Sequence, residues 1–188
     1  MSRGAYFILL AVVGLGRLLE IRISARNQRR LAGQGVTRVN EPHFRWMVTL
    51  HAGVLVSSAA EVWLLHRPFI PGVALAMGAV FLFANALRWW VIHTLSEHWN
   101  VQVMDSARLG VVTSGPYRWV RHPNYVAVFL ELLSLPLIYS AWITAVCGTI
   151  ANLWVLHRRL EVEEAVLESS PTYRSLMSFK PRFLPKLF

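Results

Sequence analysis

Long apolar stretches separated by short polar connections dominate the chain, and the last stretch (125–156) is 32 residues long. A membrane-spanning helix needs about 20 predominantly apolar residues, whereas a single helix of that length would overshoot a bilayer, because each residue adds 1.5 Å. Pro136 and the polar residues after it divide this stretch into two shorter helices. We therefore predict an all-α membrane protein with about five transmembrane helices: 4–23, 46–65, 69–87, 125–139 and 141–156.

The connections between these spans predict two helical hairpins. Only residues 66–68 separate the second span from the third, which predicts a tight antiparallel pair. The fourth and fifth spans form the other hairpin, so the polar segments 88–124 and 157–188 return to the same membrane face and must meet. The chain shows no repeat or separate soluble part, and we predict one membrane domain, 1–188.

Lysine and arginine residues are distributed unevenly between the two sides. The segments that follow the first, third and fifth spans carry sixteen of them, against two on the opposite side, Arg3 and Arg67. Because cytoplasmic loops carry an excess of Lys and Arg, we predict an N-terminus outside and both polar segments in the cytoplasm.

Composition supports a membrane protein and excludes several classes. The chain is 55% hydrophobic with a mean hydropathy of +0.42. Its net charge of +9 is not read as nucleic-acid binding, because the arginines fall between apolar spans. Cys147 is the only cysteine, which excludes a disulfide framework, and we expect it in the core. No histidine pair has the spacing of metal ligands on a helix, so no metal is predicted.

The candidate chemistry lies in the two polar segments that flank the last hairpin. Before it stands "GPYRWVRHPNY" and after it "HRRLEVEEAVL". A rigid, charged stretch at the mouth of a span can hold a polar cofactor beside an apolar substrate. Between them the segments supply aromatic, imidazole, guanidinium and carboxylate groups: Tyr117, Arg121, His122, Tyr125, Arg159, Glu161, Glu163 and Glu164.

Three other acidic positions need separate interpretations. Glu131 lies inside a span, where a carboxylate costs about 2.5–3.5 kcal/mol, so it is either functional or hydrogen-bonded to another helix. Arg17 and Glu20 are three residues apart on the first helix, which predicts a structural pair. Glu61 lies near the outer boundary, where we expect it to be solvated.

The ordered set "SGPYRWVRHPNY", "RLEVEE" and "PRFLP" resembles the isoprenylcysteine carboxyl methyltransferase family of integral membrane enzymes, which use S-adenosylmethionine. The resemblance runs from about Arg88 to Pro185, and the N-terminal part is similar to short bacterial members associated with phenolic lipids. It therefore implies a location in a bacterial inner membrane. It implies an S-adenosylmethionine site and an acceptor-side arginine, Arg159. The implied cofactor residues are Gln102, Leu109, Gly110, Val111, Val112, Tyr117, His122, Pro123, Asn124, Tyr125 and Glu163.

The resemblance leaves the methyl acceptor open between an isoprenylcysteine-type carboxylate and the hydroxyl of a phenolic lipid. A phenolic acceptor would benefit from a general base, for which Glu131 and Glu161 are the candidates. The expected partners are a lipophilic or prenylated substrate and membrane lipids, with no nucleic acid. An NADPH-dependent reductase of the sterol or steroid type is the alternative, because such enzymes carry a similar Arg-His-Pro-x-Tyr end; a non-enzymatic scaffold is the third.

Overall fold

The computed structural model describes residues 1–41, 43–105 and 110–185, and in that part of the chain the all-α prediction is confirmed. An isolated antiparallel bridge joins Arg38 to Met104. Short 3-10 turns occupy Ser96–His98 and Gly115–Arg118. The α-helices are α1 (Arg3–Gly33), α2 (Phe44–Leu64), α3 (Pro71–Leu95), α4 (Pro123–Leu137), α5 (Trp142–Ser169) and α6 (Pro171–Met177).

Within the described residues, three helices are long and apolar enough to cross a membrane: α1, α2 and α3 with the turn that follows it. α4 is apolar but only 15 residues long. α5 continues 13 residues past the predicted end of its span at residue 156, and α1 continues ten past residue 23. Both extensions carry charged residues. The helices continue into them because no proline or glycine stops either helix at the apolar boundary. The number of five spans stays a prediction.

α4 is the centre of the bundle, since ten of its 15 residues are buried. It packs extensively against both α3 and α5, and α5 in turn packs against α2. The α4–α5 hairpin is therefore confirmed. The predicted α2–α3 hairpin is wrong, because these helices have little direct contact despite their short connection. Cys147 is exposed on α5 rather than in the core; an apolar surface that faces lipid needs no burial inside the protein.

Glu61 on α2 fixes the start of α5. Its carboxylate accepts hydrogen bonds from the backbone N–H of Thr144 at 2.7 Å and of Ile143 at 3.1 Å, and from the Thr144 hydroxyl at 2.7 Å. Arg67 donates to the same group at 2.9 Å. The first N–H groups of a helix lack internal partners, and a carboxylate there is favoured by the helix dipole. The prediction that Glu61 is solvated is wrong: the residue is buried.

A network of four charged residues, three of them buried, ties α1 to α3 and α4. Arg17 donates to Glu20 at 2.6 Å and to Glu131 at 2.7 Å. Arg88 on α3 donates to Glu20 at 2.8 Å. The structural Arg17–Glu20 pair is confirmed. For Glu131, the structure shows the interhelical contact that was one of its two interpretations.

The C-terminal tail lies along the loop before α4. The carbonyl oxygens of Pro181 and Arg182 accept hydrogen bonds from the backbone N–H groups of Arg121 and His122, both at 2.9 Å. Lys180 Nζ donates to the Tyr117 carbonyl oxygen at 2.7 Å. These contacts hold the loop backbone in place, which accounts structurally for the "PRFLP" run after α6.

Candidate functional site

The two polar segments meet, as the hairpin argument predicts. His122, immediately before α4, lies 3.1 Å through Nε2 from Glu164 and 3.9 Å through Nδ1 from Glu163 on α5. Pro123 is the first residue of α4, where its missing N–H costs nothing. This helix start places Tyr125 in the first turn of α4, where its hydroxyl reaches Arg159 and Glu163 on α5.

A chain of hydrogen bonds connects Arg159, Tyr125 and Glu163. Arg159 Nε donates to the Tyr125 hydroxyl at 3.0 Å, and that hydroxyl donates to the Glu163 carboxylate. Arg159 and Glu163 are four residues apart, so they share one face of α5. The Tyr125 ring also stacks on His122, with ring centroids 5.4 Å apart. The predicted catalytic arginine and three predicted cofactor residues therefore form one connected cluster.

A cavity of about 150 Å³, here called the loop cavity, opens beside this cluster. Its lining mixes apolar side chains with amide, phenol, guanidinium and carboxylate groups. The predicted site residues that line it are Gln102, Gly110, Val111, Val112, Tyr117, Arg159 and Glu163. His122, Asn124 and Tyr125 instead line an adjoining cavity of about 60 Å³, the connecting cavity.

A third cavity, the intramembrane cavity, measures about 570 Å³ and lies between α1, α2 and α5. Apolar side chains such as Leu18, Leu55 and Val155 form most of its lining. Asn100 and Arg159 line all three cavities. The Arg159 guanidinium therefore lies where a polar cavity meets an apolar one.

Backbone and side-chain contacts fix Arg159 at that junction. Its guanidinium donates to the Val101 carbonyl oxygen at 2.5 Å and lies 2.9 Å from Met47 Sδ and 3.6 Å from Glu41. These partners come from α2 and from the segments on either side of the Arg38–Met104 bridge. The sequence interpretation missed this contribution of the first connection. The only available signal was that Glu41 is the one acidic residue among the arginines of that connection.

Glu164 is a buried residue behind the loop that the predicted site omitted. Arg182 donates to it at 2.6 Å, and Arg121 lies 3.2 Å away. Burial by itself raises the pKa of this carboxyl, but the hydrogen bonds from Arg182 and His122 and the charge of Arg121 outweigh it, so the pKa lies below its ordinary value of 4.5. The sequence feature that could have identified Glu164 is its position in "EVEE", directly after Glu163.

Burial also governs the ionisation of Tyr117. The phenol is enclosed between the loop and cavity, and this raises its pKa above the ordinary value of 10.0, with the Glu163 carboxylate adding to the effect. Tyr117 is therefore a neutral hydrogen-bonding and packing group in the loop cavity. The Tyr125 hydroxyl also keeps its proton and donates a hydrogen bond to the Glu163 carboxylate.

Several predicted residues lie away from the three cavities. Glu131 is 3% exposed, engaged by Arg17, and absent from their linings. Pro123 is buried at the start of α4 and lines none of them. Glu161 faces outward and pairs with His157 and Arg158, both at 3.4 Å, which argues against its use as a base. Leu109 falls outside the described residues.

No group of three or more His, Cys, Asp or Glu side chains in the described ranges is arranged to hold a metal ion. What the arrangement offers instead is a carboxylate (Glu163), a phenol (Tyr117) and an amide (Gln102) around the loop cavity, with the Arg159 guanidinium at its boundary with the intramembrane cavity. Such a set can bind a zwitterionic, aromatic molecule on the polar side. The same cation can hold an oxygen of an apolar molecule on the other side.

Comparison with known proteins places these features in a family. The profile of the isoprenylcysteine carboxyl methyltransferase (ICMT) family matches residues 74–169. The uncharacterized protein YpbQ of Bacillus subtilis (strain 168) is 30% identical over 163 residues, which cover 87% of this chain and 96% of that protein. An uncharacterized protein of Haemophilus influenzae (strain Rd) is 26% identical over 152 residues, covering 80% and 88%.

A solved structure shares the fold. The eukaryotic intramembrane Ras methyltransferase, isoprenylcysteine carboxyl methyltransferase, superposes with a TM-score of 0.56 at 21% identity. The match covers 78% of this chain and 56% of that one, so the chain spans little more than half of the solved protein. At this identity the likeness concerns the fold alone.

Proposed function

This chain belongs to the isoprenylcysteine carboxyl methyltransferase family, and from that premise we propose that it is an S-adenosylmethionine-dependent O-methyltransferase acting on a lipophilic acceptor at the membrane. The acceptor oxygen is a carboxylate of the isoprenylcysteine type or a phenolic hydroxyl. The family assignment gives no support to the reductase alternative.

The observation that carries this proposal is the position of Arg159. Its guanidinium lines the loop cavity, the connecting cavity and the intramembrane cavity at once. Methyl transfer is an in-line displacement, for which the protein mainly supplies proximity and orientation. The polar loop cavity and the apolar intramembrane cavity meet at the Arg159 guanidinium. The methyl donor can therefore bind on one side of this residue and the lipophilic acceptor on the other.

The residues of the loop cavity fit S-adenosylmethionine, which supplies an electrophilic methyl group when bound. Tyr117 offers a neutral aromatic face for an adenine ring, and Gln102 offers an amide for hydrogen bonding. The Glu163 carboxylate can accept from an ammonium group or ribose hydroxyls. Val111 and Val112 close the cavity with apolar surface. His122 acts on this side by packing on Tyr125 and by its contact with Glu164.

On the acceptor side, Arg159 orients the reacting oxygen. Its hydrogen bonds to Tyr125 and to the Val101 carbonyl hold the guanidinium plane, so that a remaining N–H can donate to a carboxylate or phenolate. The positive charge lowers the cost of keeping that oxygen ionised beside an apolar cavity. Glu131, the other proposed catalytic residue, can contribute only through Arg17 in the present arrangement.

We also propose that this site faces the cytoplasm, with the N-terminus outside. The proposal rests on the excess of Lys and Arg in the segments that follow α1, α3 and α5. It places cofactor entry on the side where the loop cavity opens. The lipid-facing intramembrane cavity then receives the acceptor from within the bilayer.

Cofactor choice is the direct test. Purified protein in detergent should gain thermal stability with S-adenosylhomocysteine and none with NADPH, because ligands that bind only the folded state stabilise it by mass action. Membranes incubated with S-adenosylmethionine labelled in its methyl group should yield a labelled lipid. A folded protein that is stabilised by NADPH alone would refute the proposal.

A further inference from the structure

The last turns of α1, residues 22–33, have two chemically different faces. The face turned toward the rest of the protein carries Ser24 and Asn27, which are buried. The opposite face carries Arg22, Arg26 and Arg29, which are exposed. These arginines are spaced four and three residues apart, so they lie one above another along the helix. We call the three residues the arginine stripe.

The inward face of these turns holds the segment 95–104, which lines the loop cavity. The Asn27 amide donates to the Trp99 carbonyl oxygen at 2.8 Å. The Ser24 hydroxyl accepts from the backbone N–H of Val101 at 2.9 Å, and the Val101 carbonyl oxygen in turn binds Arg159. The position of residues 22–33 therefore fixes the backbone against which Arg159 is held.

The arginine stripe has no protein partner within the described part of the chain. None of its three guanidinium groups forms a hydrogen bond or an ion pair with a described residue. Arg30, at the edge of the same face, instead pairs with Glu97. Residues 22–33 include no Asp or Glu. The positive charge of the stripe is therefore not neutralised by the described residues.

The arginine stripe continues the face of α1 that is apolar and exposed along its membrane-spanning part. Leu15 and Leu19 are both exposed and precede Arg22 by seven and three residues. Leu19 also precedes Arg26 by seven residues. These are the spacings of neighbours on one helix face. The surface that faces lipid along the span therefore runs directly into the stripe.

Distance along α1 places the arginine stripe at one boundary of the hydrocarbon core. Arg22 follows Arg3 by 19 residues, which corresponds to about 28 Å of helix, and the core of a bilayer is about 30 Å thick. Arg26 and Arg29 lie about 6 and 10 Å beyond Arg22. Because side chains on a helix point back toward its N-terminus, the three guanidinium groups reach toward the lipid headgroups.

We propose that the arginine stripe binds the headgroups of anionic phospholipids, and that this contact holds residues 22–33 against the segment that lines the loop cavity. Guanidinium groups bind phosphate oxygens through paired hydrogen bonds, and one Arg near an anionic surface favours binding about fivefold. The general excess of Lys and Arg that sets orientation requires only a count of charges. Three unpaired arginines on the lipid-facing side of one helix instead define a binding surface. This inference does not depend on the proposed methyltransferase function.

Lipid retention is the direct test of the binding surface. The protein in detergent is mixed with equimolar phosphatidylglycerol and phosphatidylcholine, and native mass spectrometry identifies the first lipid that stays bound. The wild type should retain phosphatidylglycerol about fivefold more often. The triple variant Arg22→Gln, Arg26→Gln, Arg29→Gln should lose this preference, because it lacks the charges. The corresponding triple Lys variant, which keeps them, should retain most of it.

A matched control removes three other exposed arginines. The triple variant Arg118→Gln, Arg158→Gln, Arg174→Gln loses the same net charge from other parts of the chain. It should keep the wild-type preference for phosphatidylglycerol. This comparison separates binding at the arginine stripe from a general effect of net charge.

Amide hydrogen exchange tests the contact between residues 22–33 and the cavity segment. It is measured on protein in lipid nanodiscs of phosphatidylcholine, with and without one third phosphatidylglycerol. Peptides that include Val101 should exchange about fivefold more slowly with phosphatidylglycerol, because a ligand that binds only the closed arrangement disfavours its opening. The stripe Gln variant should exchange equally in both bilayers.

The proposal is overturned if the wild type retains both lipids equally, or if the control variant loses the preference as fully as the stripe variant does. It is also overturned if exchange at Val101 is the same in both bilayers. A stripe that binds an acidic segment of another protein instead would leave the wild type and its Gln variant with equal lipid retention. None of these measurements uses S-adenosylmethionine, so they remain decisive if the methyltransferase assignment fails.

Discussion

At the scale of single residues, Arg159 is the group on which the proposed chemistry depends. Its side chain is only 11% exposed, and its partners Tyr125, Val101, Met47 and Glu41 come from four different parts of the chain. A guanidinium held by so many contacts keeps its direction when a ligand arrives. Preorganised donors of this kind are worth far more than the same group free in water.

Replacing Arg159 with Leu should lower kcat for the lipid acceptor by about 100-fold, the usual cost of losing one preorganised donor to a developing charge. Binding of S-adenosylhomocysteine, measured by calorimetry, should change little. Arg158→Leu is the matched control, since Arg158 is an exposed neighbour that pairs only with Glu161 among the described residues. Equal losses in the two variants would contradict the role given to Arg159.

Glu163→Gln should show the opposite pattern to Arg159→Leu, with weaker cofactor binding and little effect on the acceptor. Removing the negative charge from the wall of the loop cavity should weaken S-adenosylhomocysteine binding by about 10- to 100-fold, since a hydrogen bond to a charged group is worth roughly 1.5–3 kcal/mol. The KM for the acceptor should be nearly unchanged at saturating cofactor. Glu161→Gln is the matched control, because Glu161 is exposed to solvent and lines none of the three cavities. This variant should bind S-adenosylhomocysteine as the wild type does.

At the scale of helices, the sequence was enough to predict contacts between helices that a short turn joins. The α4–α5 hairpin brings His122 to Glu163, and that juxtaposition could be predicted from two apolar runs and a proline. Glu61 could not be assigned, because its partners at Ile143 and Thr144 are some eighty positions away. The same holds for the Arg88–Glu20 pair. It also holds for the small extent of direct α2–α3 contact, because α4 rather than α2 is the main partner of α3.

The hydrogen bonds that Glu61 accepts at the start of α5 should contribute measurably to the thermal stability of the protein. Glu61→Gln keeps the size of the side chain but loses its charge, so buried N–H groups at the start of α5 lose part of their stabilisation, about 1–3 kcal/mol. The thermal midpoint in detergent should fall, while kcat of the protein that remains folded should not. Glu97→Gln, at an exposed pair with Arg30, should leave the midpoint unchanged.

The tail provides a second prediction at this scale, concerning pH. Because its partners lower the pKa of Glu164 below 4.5, the carboxylate stabilises the fold above that value and stops doing so as the pH falls through the lowered pKa. The wild type should therefore lose stability below about pH 4.5 more steeply than Glu164→Gln. Thermal unfolding between neutral and acid pH measures this difference. Parallel curves would show that the Arg182–Glu164–His122 contacts contribute nothing to the pH response.

At the scale of the whole molecule, the cavities and the charge distribution must agree on one membrane orientation. The loop cavity lies among the segments that hold most of the Lys and Arg, while the Glu61–Arg67 cap lies at the other end of α2. In the proposed reaction the soluble ligand would come from one aqueous side only. The acceptor would then enter laterally, through the apolar surface between α1 and α2 that lines the intramembrane cavity.

Orientation can be measured with single cysteines in a Cys147→Ser background, since Cys147 is the only native thiol. Ser2→Cys and Ser178→Cys place exposed thiols at the two predicted sides. A membrane-impermeant maleimide should label position 2 in intact spheroplasts and position 178 only in inverted vesicles, because the positive-inside bias favours the end with sixteen Lys and Arg residues over the end with two. Labelling of position 178 from outside would place the loop cavity beyond reach of cytoplasmic S-adenosylmethionine. The proposed reaction would then lack its methyl donor, however well the cavities fit.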